Sequence, residues 1–465
     1  MDRPREPKDL KRRYLGIGVT ILIGAVLMAA AGGFLSKRGQ GELAHVLLLG
    51  FGIMVALVAV FFFRDILEPR QPTQAGREIA DSAFSRALGA IGAGATMANA
   101  AAAELPQLDG YNLYEASVVS SLDGSEEPVI VGHPAAIAPG DKDHEPRPLL
   151  VGVHSWSTDR YSSTQQQCQQ AAERGWFAVY PQFRGPNLTS NPRATQACAS
   201  LLAQHDIIDA IQYMKANFPI DDSRIYLMGG SGGGHMALMM AAKYPDVWAA
   251  VSAWVPITSL REWWEQQNGY AKHIVACCGG KPGDSQEVDF EYLRRSPRTF
   301  ITNAANTPVR ICHGQMDNTI YVQQTWKTFS WLADIPGHRL SFFSDSAGHH
   351  ADYSAGADWL DGQVRSNKPP QHQWLVTDEA KGYFWCYIAP AAQHSLAEVE
   401  AGLVEQDGEV VLEVKCAGAG EIRIDLQALG IELKGEPDAV KEQLLLLRPD
   451  NPAVKTRYGY PAVRC

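Results

Sequence analysis

The chain has no basic excess. Its 41 lysines and arginines are outnumbered by 51 aspartates and glutamates, for a formal charge of −10. Little is therefore available to neutralise phosphates, which excludes a nucleic-acid partner. Compositional bias is also missing: 46% hydrophobic and 20% charged residues rule out a disordered, collagen-like or coiled-coil protein. Cys168, Cys198, Cys277, Cys278, Cys312, Cys386, Cys416 and Cys465 include no C-x-x-C pair and no histidine-spaced zinc pattern, so no metal or cofactor is expected. Their number favours an oxidising compartment, where a pairing such as Cys168 with Cys198 is open. At 465 residues the length calls for two or more folded units.

Charge is missing most conspicuously in two stretches. Tyr14–Leu35 is an uncharged run of 22 residues, and Ala44–Phe63 is a second of 20 interrupted only by His45. Each is long enough to span a hydrocarbon core as a helix, and neither has the short apolar region of a signal peptide. The expectation is a transmembrane helical hairpin that anchors the chain to a lipid bilayer as a multi-pass membrane protein. Arg3, Arg5, Lys8, Lys11, Arg12 and Arg13 precede the first run, and Arg64, Arg70 and Arg77 follow the second, which puts both ends on the cytoplasmic side. A third uncharged segment, Ala87–Ala103, is weakly hydrophobic. It reads as a linker, with a third span or a processing site as the other readings, so the side of the remaining chain stays open.

From Tyr111 onward strand-like and helix-like patterns alternate, which implies a mostly parallel sheet flanked by helices. Leu149–Val153, Trp176–Tyr180, Arg224–Met228, Val247–Val255, Pro308–Cys312 and Arg339–Phe343 read as strands, with Asp221-Asp222-Ser223 as a turn. Gln165–Glu173, Leu201–Asn217 and Gly232–Lys243 read as helices.

The chemistry gathers where one strand meets its helix. Gly229-Gly230-Ser231-Gly232-Gly233 fits G-x-S-x-G, in which a strained strand-to-helix turn lifts a serine hydroxyl above the sheet. The Gly232 N–H then points at a developing oxyanion. No lysine follows, as a phosphate loop would require. A serine nucleophile needs a base, and the base needs an orienting carboxylate. Asp317 follows the strand Pro308–Cys312, and His349 and His350 follow the strand Arg339–Phe343, in the chain order Ser, Asp, His that an α/β-hydrolase uses. Spacing alone does not separate the two histidines.

Ser120-Ser121-Leu122-Asp123-Gly124, Phe183-Arg184-Gly185, Gly229-Gly230-Ser231-Gly232-Gly233, Ser296-Pro297, His313-Gly314-Gln315-Met316-Asp317-Asn318 and Gly348-His349 together resemble the catalytic domain of the prolyl oligopeptidase family of serine peptidases. The resemblance runs from about Tyr111 to Val364. It implies Ser231 as nucleophile, Asp317 as acid and His349 as base. It also implies hydrolysis of a peptide or ester substrate through an acyl-enzyme. Two departures matter. The stretch ahead of the hydrolase holds apolar runs and a short linker where such oligopeptidases carry a β-propeller. The oxyanion stretch, His-Gly-Gly-Pro in relatives, is here His154-Ser155-Trp156-Ser157. A backbone N–H of Ser155 or Trp156 is the second expected donor. The chain thus looks closer to a propeller-less branch that includes esterases, and an esterase acting on acylated carbohydrates or small esters is the alternative reading. A hydrolase fold without activity is the reading from another class; the intact Ser, Asp, His order argues against it.

Other residues invite attention. Trp254, Trp263 and Trp264 follow the strand after the elbow, where substrate pockets are often walled, and Arg184 is positioned either to bind a substrate carboxylate or to make a structural salt bridge. His235 reads as a structural or supporting histidine, and the pair His205-Asp206 as helix surface or sheet packing. Beyond the polar break Arg365–Pro370, the alternation of Glu421–Leu426, the Asp407-Gly408 turn signal and the apolar runs Tyr383–Ile388 and Gln443–Leu447 predict a small β-sandwich. The expected organisation is a membrane anchor over 1–68, a linker over 69–110, an α/β-hydrolase over 111–366 and a β-rich unit over 371–465.

Overall fold

The computed structural model describes residues 104–406, 409–429 and 444–447. The two apolar runs expected to form a membrane hairpin lie outside the described residues. Among the described residues no helix is long and apolar enough to cross a membrane.

Eight strands form one sheet in the order β1-β2-β4-β3-β5-β6-β7-β8. β1 (Tyr111–Val119) and β2 (Glu126–Pro134) are antiparallel to their neighbours. β3 (Arg147–Val153), β4 (Phe177–Pro181), β5 (Ile220–Gly230), β6 (Ala250–Trp254), β7 (Val309–Gly314) and β8 (Leu340–Asp345) run parallel. This is the α/β-hydrolase sheet, with β5 near its centre. Alternate residues of the inner strands feed two cores. Leu149, Val151, Leu227 and Val251 pack with α2 (Leu201–Asn217) and α3 (Gly232–Lys243), whereas Leu150, Tyr226 and Met228 pack with α1 (Arg160–Arg174). Burial on both faces is why these strands read as continuous apolar runs.

Two local expectations change. α1 starts at Arg160, earlier than its apolar pattern shows, because the Asp159 carboxylate accepts from the Tyr161 and Ser162 N–H groups and caps the helix. Asp221-Asp222-Ser223 is not a turn but an irregularity within β5, where the register with β3 shifts between Arg147 and Leu149. The Asp221 carboxylate holds the Ser223 N–H at 2.9 Å there, so the chain bends without reversing.

Further helices lie beyond the elbow, among them α4 (Leu260–Glu265), α5 (Ala271–Cys278), α6 (Gln286–Arg294), α7 (Gln323–Ser330) and α8 (Tyr353–Leu360). After α8 come two further sheets. β9 (His372–Thr377), β12 (Ala397–Gln406) and β13 (Glu409–Ala417) form one; β10 (Lys381–Tyr383), β11 (Cys386–Pro390), β14 (Ala419–Asp425) and β15 (Leu444–Leu447) form the other. β12 pairs antiparallel with β13, with Gln406 opposite Glu409. The run Tyr383–Ile388 is two strands rather than one, since Tyr383 pairs with Cys386 and Phe384 turns the chain at φ +50.

This two-sheet unit has its own core of Trp385, Ile388, Val399, Leu412 and Ile424 and meets the hydrolase both through Trp374, Val376 and Leu396, which pack on the hydrolase core, and through polar contacts. Asn303 exchanges hydrogen bonds with the Val376 backbone at 2.8 and 2.7 Å. Lys243, the fully buried last residue of α3, pairs with Asp378 and with Glu379, and Arg294 reaches Asp378 at 2.7 Å.

Candidate active site

Ser231 sits between the last residue of β5 and the first of α3 at φ 58, ψ −117. That backbone strain persists because both sides are locked: the Ser231 N–H donates to the Trp254 carbonyl at 2.9 Å, and the Ser231 carbonyl accepts from His235 N–H at 2.9 Å. Glycine is required at 232 because a β-carbon there would collide with the backbone of Trp156. The same closeness brings the Gly232 and Trp156 N–H groups to one side of the serine. The first belongs to the unpaired first turn of α3, and the second has no acceptor among the described residues.

Neighbouring parallel strands deliver the partners. β7 and β8 end side by side, and their loops are joined by Gln315 N–H to Asp345 O at 2.8 Å and Met316 N–H to Ala347 O at 2.9 Å. This brings His349 between Ser231 and Asp317. Its Nε2 lies 2.9 Å from Ser231 Oγ and its Nδ1 2.7 Å from Asp317 Oδ2. His349 is 27% exposed while the Asp317 side chain is fully buried, so the pair has a wet end and a dry end.

Asp317 is held more firmly than the sequence indicates. Its Oδ1 accepts from the Thr319 and Ile320 N–H groups at 2.8 and 2.9 Å. A second imidazole, His313, places Nε2 3.2 Å from Oδ2 while its Nδ1 meets Thr325 Oγ1 at 2.8 Å. Burial alone would raise the Asp317 carboxyl, but hydrogen bonds from His313 and His349 hold it well below the usual carboxylate range. Sequence reasoning did not single out His313; the signal was its place at the head of His-Gly-Gln-Met-Asp.

The structure separates the other candidates. His350 turns away, its Nε2 3.6 Å from Asp345 and its ring 6.0 Å from Trp254. Trp254 is buried, bonded to Ser252 Oγ at 3.0 Å, and forms a floor under that loop. Trp263 is also buried: it crosses Trp156 edge-on at 4.7 Å and donates to the Thr319 carbonyl at 2.9 Å. It braces Trp156 against the Asp317 loop. Trp264 packs only partly buried against the same cluster. Ser155 lends its carbonyl to His154 Nδ1 at 2.9 Å.

Arg184 does not meet substrate. It is 1% exposed and saturated by Asp206 at 2.6 and 2.9 Å, Asp123 at 2.8 and 3.1 Å and Ser120 at 3.1 Å. Bonds from Asp206 raise its pKa further. The Ser-Leu-Asp-Gly and Phe-Arg-Gly motifs are thus two halves of one buried ion pair, and Asp206 belongs to it rather than to a helix surface. His235 is buried one turn after the serine with Nε2 2.6 Å from the Arg295 carbonyl, and burial pushes its pKa down to about 4. The suggested Cys168–Cys198 pairing does not occur: both thiols are free, and they sit in different cores.

Comparison with known proteins fits this geometry. Residues 162–360 match the prolyl oligopeptidase family. S-formylglutathione hydrolase of Rattus norvegicus is 29% identical over 155 residues, 30% of this chain and 53% of that protein. Feruloyl esterase B of Neurospora crassa is 37% identical over 189 residues, 37% of this chain and 58% of that protein. The chain thus spans a little over half the length of these relatives. A solved acylaminoacyl peptidase of Pyrococcus horikoshii aligns at TM-score 0.45 and 17% identity over 57% of this chain and 43% of that one. Residues 162–360, which hold Ser231, Asp317 and His349, thus form a domain similar to the prolyl oligopeptidase family.

Proposed function

We propose that Ser231, His349 and Asp317 form a catalytic triad that hydrolyses esters through an acyl-enzyme. The observation that carries this reading is His349, whose two ring nitrogens bridge Ser231 Oγ and Asp317 Oδ2. His349 Nε2 takes the hydroxyl proton as Ser231 Oγ attacks the carbonyl carbon. Asp317 fixes the tautomer and stabilises the imidazolium. The tetrahedral oxyanion sits between the N–H groups of Gly232 and Trp156; the crowding of these two backbones favours Trp156 over Ser155 as second donor. Collapse expels the alcohol, protonated by His349, and water repeats the sequence to release the acid.

The curated relatives favour an ester or thioester substrate, since their names are S-formylglutathione hydrolase, acetylxylan esterase and feruloyl esterase. Amide cleavage is the second reading, supported by the peptidase family that residues 162–360 match. A fluorophosphonate probe should label Ser231 in the parent and not in Ser231→Ala. Paired assays with a chromogenic acyl ester and an alanine- or proline-linked amide then separate the readings: turnover of the amide at rates comparable to the ester would overturn ester specificity.

The runs Tyr14–Leu35 and Ala44–Phe63 support a bilayer anchor on length and missing charge. Resistance of the full chain to alkaline extraction from membranes, lost on deleting residues 1–68, tests it. Release of the full chain by alkali alone would sink it.

A further inference from the structure

Three free cysteines meet in one place. Cys198, Cys277 and Cys278 share a buried cluster with Trp156, Trp263, Ile274 and Tyr292. Cys198 belongs to the segment between β4 and α2, whereas Cys277 and Cys278 end α5. The two segments pack side by side: the short turn Ala194–Gln196 that leads into Cys198 lies against α5. Of the two adjacent cysteines, Cys277 is the one whose side chain hydrogen-bonds to that of Cys198. Sulfurs already in contact have most of the approach to the bonded distance of about 2.05 Å behind them.

The backbone around Cys198 is fixed for that meeting. Cys198 and Ala199 both hold positive φ, 53 and 54, a conformation that is costly for a residue with a β-carbon. Neighbours maintain it. Cys198 N–H donates to Asn187 Oδ1 at 2.8 Å, and the Arg295 guanidinium donates to the Ala197 and Thr195 carbonyls at 2.8 and 2.9 Å. Asn187 N–H in turn donates to the Trp156 carbonyl at 2.8 Å. The Cys198 segment is thereby tied to Trp156 on one side and, through sulfur, to α5 on the other. A covalent bond at this point closes a ring of chain that contains Ser231.

We propose that Cys198 and Cys277 form a disulfide when the chain folds under oxidising conditions, by exchange with a low-molecular-weight disulfide such as oxidised glutathione. The Cys198 thiolate attacks one sulfur of the small disulfide, which gives a mixed disulfide and releases one small thiol. The Cys277 thiolate then attacks the Cys198 sulfur, the protein S–S bond forms, and the second small thiol leaves. The two cysteine protons end on the two released thiols, and the two electrons reduce the small disulfide. Burial holds the Cys198 thiol well above its ordinary value, so exchange is slow once the cluster has closed and belongs to the folding stage. Cys168, in a different core, takes no part.

The test synthesises the full chain in a cell-free system with detergent, once in an oxidising glutathione buffer and once with dithiothreitol. Free thiols are blocked with N-ethylmaleimide in denaturant, and the unreduced digest is mapped by mass spectrometry. The oxidised chain should yield one cross-linked peptide pair, Cys198 joined to Cys277, with Cys278 carrying the maleimide. It should also melt at least about 3 °C above the reduced chain, followed by tryptophan fluorescence. Cys198→Ser and Cys277→Ser should each remove the cross-link and the melting difference, and Cys278→Ser should keep both. Maleimide on Cys198 or Cys277 of the oxidised parent, a cross-link from Cys198 to any other cysteine, or a melting difference that survives Cys277→Ser each overturns the proposal.

Discussion

Two buried charge clusters lie on the same hydrolase unit and behave differently. Around Arg184 a guanidinium is enclosed by Asp206, Asp123 and Ser120, with every donor occupied and only the Asp123 carboxylate, 34% exposed, meeting solvent. Around Asp317 a carboxylate is enclosed with the same thoroughness, but one of its partners, His349, has a second nitrogen that reaches Ser231 at a partly exposed surface. Both clusters use charge-assisted hydrogen bonds in a dry environment. The closed one can only hold the fold together; the open one ends on a group that can move a proton. In the proposed reaction the free end, rather than the buried charge, carries the chemistry.

The sharpest way to break this comparison is to remove the open end. Ser231→Ala or His349→Ala should lower kcat by about 10⁴-fold or more while leaving the urea midpoint within a few tenths of a molar of the parent. Substantial turnover by either variant on an authentic substrate rules the triad out. The closed cluster should respond in the opposite sense. Arg184→Met strands Asp206 and its neighbours without their cation and should cost about 3–5 kcal/mol in urea unfolding, with kcat per folded molecule nearly unchanged. A stability equal to the parent's would mean the cluster is not what holds these loops.

His235 sharpens the contrast, because it lies one turn from Ser231 yet faces inward. Its folded pKa of about 4 lies below the ordinary histidine value of 6.5. The unfolded chain therefore binds the proton more readily, and stability is lost as pH falls from about 6.5 through 4. The loss should be about 3 kcal/mol by linkage, measured by denaturation across that range. His235→Gln should flatten this part of the profile; an unchanged slope would show that His235 is not the titrating group. The smallest effect expected is that of His350→Ala, at most about tenfold in kcat, since its ring points away from the serine. A loss matching that of His349→Ala would reverse the assignment of the base.

The serine turn was legible because its requirements are local: five consecutive residues carry the steric condition, and a strand and helix flank them. Asp317 and His349 were legible because hydrolase topology puts them after successive strands. His313 was not, since its bond to Asp317 depends on how the loop after β7 curls back, with Thr325 on the next helix fixing its ring. Arg184 was ambiguous for a related reason. A guanidinium beside a turn has the same local signature whether its partner is a ligand or Asp206 on α2, and only the folded contact decides. The Phe384 turn escaped because an aromatic at positive φ sends no turn signal, unlike the glycine of Asp407-Gly408.

The contact between Lys243 and Asp378 has a thermodynamic consequence. α3 begins next to Ser231 and ends at a fully buried ammonium whose counter-charges belong to the two-sheet unit. Separating that unit from the hydrolase would break these ion pairs and uncover the apolar surface that Trp374, Val376 and Leu396 cover on the hydrolase core. Heat should therefore melt the hydrolase and the two-sheet unit in one cooperative event, and a calorimeter should record a single endotherm for them where the domain count alone suggests two.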